Sequence, residues 1–115
     1  VMEAVADKIS RQDCKAYIVE TYVNGTSGYN VYSNKWCEQW GETPAVSPDA
    51  QQTITFLKPF ANTDYYFNRS CLINNSSGPA TGYFTGYFNK TATSVTIQSS
   101  TYTDKTSWFA SGYIA

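Results

Sequence analysis

The chain has 115 residues, with 8 Lys and Arg against 9 Asp and Glu, no histidine, and 17% aromatic residues. A net charge of −1 without a basic run argues against nucleic acid, which needs a positive field to meet phosphate, and against an electrostatic membrane anchor. The absence of histidine removes a Ser-His-Asp triad, a Cys-His pair and a His-ligated zinc.

This length suits one domain with a core of its own. Few charges, ten tyrosines and an abundance of Ser, Thr, Asn and Gly fit an all-β, turn-rich protein. Cys14, Cys37 and Cys71 are odd in number and lack the C-x-x-C spacing of a zinc site, so they read as buried free thiols. No apolar run has the length of a transmembrane helix. The chain opens at Val1 in mid-pattern, as a piece of a longer protein would.

Residues 1–14 form the helical candidate. Met2, Val5 and Ile9 make one apolar stripe, with acidic residues early and basic ones late, as the helix dipole prefers. So short a helix does not hold alone in water, so the stripe predicts a stem that packs against copies of itself. Residues 15–115 form the second unit. Ala16 to Val23 reads as a strand with apolar groups on both faces, which predicts cover on both sides. Asn24 to Gly28 turns the chain. Tyr29 to Ser33 is a strand, Asn34-Lys35 a turn, and Trp36 to Gly41 a strand with clean alternation. Trp36 and Trp40 share one face of it and are expected in the core.

Pro44 and Pro48 make the following stretch a loop. Gln52 to Leu57 alternates, with Ile54 and Phe56 inward, and Pro59 ends it. Asp64 to Ile73 is the next strand, with Arg69 on its apolar face, where it must find an acceptor or emerge at a rim. Asn74 to Pro79 is the strongest loop signal. Gly82 to Asn89 repeats Gly-Tyr-Phe. Val95 and Ile97 point inward from a strand over Thr93 to Ser99. The last strand, Ser107 to Ile114, has Trp108 and Ala110 on one face and Phe109 and Tyr113 on the other. Roughly seven or eight short strands result, the count of an antiparallel β-sandwich. Trp36, Trp40, Ile54, Phe56, Val95, Ile97 and Trp108 are its predicted core.

Three segments carry a resemblance: "IVETYVNGTSGYNVYSNKWCEQWG", "TITFLKPFANTDYYF" and "WFASGYIA". A Tyr-rich strand leads into Trp36-x-x-Gln39-x-Gly41, an apolar strand ends in a Pro-Phe corner, and an aromatic strand closes the chain. In that order they resemble the C-terminal receptor-binding domain of bacteriophage and prophage tail-fibre proteins, over Ala16 to Ala115. The stretch from Asn74 to Thr106 matches no pattern of that family.

The resemblance implies a homotrimeric, non-enzymatic adhesin at the tip of a virion tail fibre, made in the host cytoplasm. Its partner would be a bacterial surface glycan or an outer-membrane protein. It implies no cofactor and no metal. A monomeric carbohydrate-binding module of a secreted protein is the alternative, and a polysaccharide-cleaving tailspike domain is a third. The third needs a carboxylate pair, for which Glu38, Glu42, Asp49 and Asp64 are the candidates. Receptor contact is expected at Asn74, Asn75, Tyr83, Tyr87 and Asn89, where two outward tyrosines beside amides would make a sugar platform. The loop with Asn24, Thr26 and Ser27, and Tyr102, are competing sites.

Overall fold

A computed structural model describes residues 16–72, 85–99 and 105–115. Among the described residues there are eight strands: β1 (Ile18–Asn24), β2 (Ser27–Tyr32), β3 (Trp36–Thr43), β4 (Gln51–Thr55), β5 (Tyr66–Leu72), β6 (Thr85–Phe88), β7 (Ser94–Ser99) and β8 (Lys105–Tyr113). All pairings are antiparallel. One sheet has five strands in the order β1-β2-β3-β8-β5, and the other has three in the order β4-β7-β6. The fold is an all-β antiparallel sandwich. The expected stem, 1–14, lies outside the described residues.

Local chemistry sets the tight turns. Gly25 (φ 62°) supplies the left-handed position between β1 and β2 at no steric cost. Between β2 and β3 the left-handed residue is Lys35 (φ 73°), not Asn34. Asn34 instead accepts a hydrogen bond from the Trp36 N–H through its side chain (3.1 Å), a local bond open to Asn and Asp.

The core lies between the sheets. Ile54, Phe56, Val95, Ile97 and Trp108 are buried in it, with Phe60, Tyr65, Phe67, Val31, Cys37 and Ala110. Phe56 is its hub: its ring meets Phe60, Tyr65 and Trp108 with centroids 5.1, 5.2 and 5.8 Å away. Such tilted and edge-to-face pairs are the arrangements that aromatic quadrupoles favour.

Trp36 and Trp40 are on the other side. The expectation put them in the core, but β3 turns Cys37, Gln39 and Gly41 inward and leaves both indoles half-buried on the outer face. The reason is volume. A Cβ on Gly41 would lie 2.9 Å from the Trp108 indole, so that space belongs to a ring from β8. On the outer face Trp36 packs edge-on against Tyr113 (5.0 Å), and Trp40 lies over Gly28, its partner across the ladder.

Two long polar side chains inside, Gln39 and Arg69, are bonded. Gln39 is fully buried, donating to the Lys58 carbonyl (2.7 Å) and accepting from the Lys58 N–H (3.2 Å). Arg69 finds its acceptors between the sheets. Its guanidinium donates to the carbonyls of Gly86 and Gln98 and to the hydroxyls of Ser99 and Thr106. It thereby ties β5 to β6, β7 and β8.

The core reaches Val31 on β2 and stops there. All seven residues of β1 are exposed, including Ile18, Val19, Tyr22 and Val23. Apolar groups do sit on both faces of this strand, but among the described residues neither face is covered.

Candidate functional site

Strand order brings two edges together. β5 ends the five-stranded sheet and β6 ends the three-stranded one, on the side where Arg69 links them. A groove of about 510 Å³ runs along the β5 edge, and Thr63, Asp64, Tyr66, Asn68, Tyr87 and Lys90 line it together with Tyr65 and Phe67. Its size is that of a small-ligand cleft.

Tyr87 pairs with Ile97 across the β6–β7 ladder, so it shares the inward face of that sheet. At the edge the core does not close over it. Its ring packs edge-on against Phe67 (5.2 Å) and stays 47% exposed. Phe88 pairs with Thr96 and takes the outer face. The expected outward tyrosine is therefore turned to the inner face at this position, because the register puts Tyr87 opposite a core isoleucine.

Lys90 stands at the end of the groove. Its ammonium lies 4.4 Å from the centroid of the Tyr65 ring and donates to the Tyr65 carbonyl. The Tyr65 hydroxyl runs the other way, donating to the Thr91 carbonyl (2.7 Å). Burial pushes that phenol up to about 12, so it stays a donor across the neutral range.

Backbone groups complete the groove. A residue in an antiparallel strand turns its N–H and C=O to one side, and the side alternates along the chain. The Tyr65 carbonyl faces Lys90, away from β8, so Phe67 two residues on presents its own N–H and C=O to the open edge.

Of the expected contact residues, Tyr87 is in this groove. Asn89, two residues on, is exposed and left-handed (φ 51°), and turns the chain out of β6 toward Lys90. Asn74, Asn75 and Tyr83 lie outside the described residues, as does Tyr102. Asn24, Thr26 and Ser27 form the exposed tip of the β1–β2 hairpin, where the Ser27 hydroxyl donates to the Asn24 carbonyl (3.1 Å). Tyr66, Asn68 and Lys90 are not among the expected site residues, and Asp64 is a candidate there only for a carboxylate pair. Among the described residues no cluster of His, Cys, Asp or Glu has the makings of a metal centre.

A second exposed feature is the outer face of the five-stranded sheet. Trp36 pairs with Tyr113, and Trp40 with Phe109. Tyr66 adds a ring that is 69% exposed. Two carboxylates, Glu38 and Glu42, alternate with the indoles. The Tyr32 hydroxyl donates to Glu38 (3.2 Å), and Lys105 pairs with Glu42 (3.3 Å).

No protein-family model matches the chain, and no curated protein matches it significantly. Solved structures do. An N-truncated R2-type pyocin tail fibre matches with a TM-score of 0.62 and 23% identity, over 93% of this chain and 42% of that one. The C-terminal part of an R2 pyocin fibre from P. aeruginosa matches with a TM-score of 0.58 and 25% identity, over 85% of this chain and 26% of that one. An N-truncated R1-type pyocin tail fibre has a TM-score of 0.57 at 14% identity. The chain thus spans less than half the length of the first two. Its sandwich is similar to the C-terminal domains of phage-tail-like fibres, as the three sequence segments implied.

Proposed function

We propose that this chain is the host-adhesion domain of a phage-type tail fibre, a non-enzymatic receptor binder at the fibre tip. The likeness to the R2 pyocin fibre, at 25% identity over 85% of the chain, is the observation that carries this reading. The receptor is a bacterial surface glycan or an outer-membrane protein. The groove along the β5 edge offers aromatic area and mixed polar groups in one open cleft, as receptor contact requires.

The working form is a homotrimer. The exposed rings of Phe109 and Tyr113 on β8 and the strand β1, an edge strand with apolar groups exposed on both faces, support it, since such an edge invites a partner. The stripe Met2, Val5 and Ile9 supports it from the sequence.

The test is competition. The purified chain, added to a panel of bacterial strains, should bind a subset of them and block the fibre-bearing particle from adsorbing to that subset. Sedimentation should give three times the chain mass. A stable monomer that binds polysaccharide would speak for a carbohydrate-binding module of a secreted protein instead. No binding to any strain sensitive to the particle would overturn the reading.

A further inference from the structure

We infer that the groove between the β5 and β6 edges seats one pyranose unit of a surface glycan, with Tyr87 as its stacking face and Lys90, Asp64 and the Phe67 backbone as its polar partners. This rests on the receptor-binding reading and adds the ligand class and the contact residues to it.

Tyr87 supplies what a sugar ring needs. A pyranose has an apolar C–H face and a rim of hydroxyls. A ring that is half-exposed yet fixed is a better platform than a mobile one, because little side-chain freedom is lost on binding. Tyr87 meets both conditions, being 47% exposed and braced by its edge-to-face contact with Phe67.

The polar rim is mixed in sign. An ammonium has three donors, and one Lys90 N–H goes to the Tyr65 carbonyl. Among the described residues no carboxylate pairs with Lys90, which lines the cleft. Asp64, exposed at the same cleft, only accepts. Phe67 adds one backbone donor and one acceptor. A sugar hydroxyl both donates and accepts, so adjacent hydroxyls on one ring suit such a set. A purely anionic ligand would meet Asp64, and a purely cationic one would meet Lys90.

Lys90 also argues against the other natural occupant of a strand edge, a peptide added as a further strand. Such a strand needs the outward carbonyls in unbroken alternation. The Tyr65 carbonyl is already taken by Lys90, whose side chain crosses the edge at that point. The ladder is blocked there, while the cleft beside it stays open.

The test uses the intact chain on an array of bacterial O-polysaccharide fragments, in parallel with adsorption to sensitive cells. Wild-type chain should bind pyranose-bearing fragments. Tyr87→Ala should lose about tenfold or more in affinity, the scale of a lost aromatic platform. Tyr87→Phe, which keeps the ring, should retain most of it. Asp64→Asn, at an exposed site, should weaken binding several-fold with an unchanged melting temperature, which separates loss of contact from loss of fold. Adsorption and array binding that are unchanged in both Tyr87→Ala and Asp64→Asn would overturn the groove and leave the receptor-binding reading standing. Adsorption that disappears after protease treatment of the cells, with no array binding, would overturn the sugar in favour of a protein receptor. Groove-dependent array binding without adsorption to any sensitive strain would support the groove and count against the tail-fibre reading alone.

Discussion

Gly41 lies directly beneath the indole of Trp108, so close that a Cβ at Gly41 would stand 2.9 Å from both Cζ2 and Nε1 of that ring. The two residues are cross-strand partners on the inner face of β3 and β8. No left-handed backbone is involved at Gly41, so the requirement for glycine is one of space. Trp108 in turn meets Phe56 and Phe67, and the ring cannot withdraw without disturbing both. Gly41→Ala should therefore cost about 1–3 kcal/mol, the range for overpacking a filled core, read from denaturant midpoints at unchanged slope. A midpoint equal to wild type would show that Trp108 has room to move.

Gln39→Leu tests the buried amide. The side chain makes two hydrogen bonds to the backbone of Lys58. Leucine fills similar volume but leaves the Lys58 N–H and C=O to find water or stay unpaired. The expected cost is about 1–3 kcal/mol. Gln39→Glu should weaken folding further as pH rises, because a buried carboxylate would face the Lys58 carbonyl. Urea titrations at two pH values check both.

Trp36→Ala and Trp40→Ala should behave as interface changes. A core tryptophan cut to alanine costs about 3–5 kcal/mol. These indoles are half-exposed, so the loss within one chain should be smaller, about 1–2 kcal/mol. The larger effect is expected on association, as a shift to lower mass in sedimentation at micromolar concentration. A strong loss of stability with the trimer intact would return both residues to a purely structural role.

Alkaline pH should loosen the fold in a set order. Burial pushes the Cys37 thiol up to about 11 from an ordinary 9.0 and the Tyr65 phenol to about 12 from 10.0. In both, the folded chain holds its proton where the unfolded chain has released it. Their contribution is therefore constant below the unfolded values, and stability falls as pH rises from about 9 toward 12. The same burial predicts that Cys37 resists iodoacetamide at pH 8 in the native chain and reacts once urea unfolds it. Measuring alkylation of Cys37 by peptide mass, with and without urea, checks this. Prompt native labelling would contradict its burial.

The sequence by itself determined the strands and much of the core. Period-two alternation marked Ile54 and Phe56, Val95 and Ile97, and Trp108 and Ala110, and all six are buried. For Ile54 and Phe56, and for Val95 and Ile97, this worked because the opposite face of the segment is polar and burial then has a single answer, whereas Trp108 and Ala110 share their strand with Phe109 and Tyr113 on the other face. In β3 alternation separated Trp36 and Trp40 from Cys37 and Gln39 but could not say which pair faces inward. That choice belongs to the opposite layer. Phe56, Phe60, Tyr65 and Trp108 fill the interior, so β3 and β8 must present Gly41, Ala110 and Gly112 there. The larger indoles are left outside. The same holds for the groove. Tyr66 and Tyr87 come from two strands, and Asp64 and Lys90 from the segments flanking them, and these edges adjoin only through the order of strands in two sheets. No spacing along the chain encodes that order. It follows from non-local pairing of β5 with β8 and of β6 with β7, which the assembled sandwich alone decides.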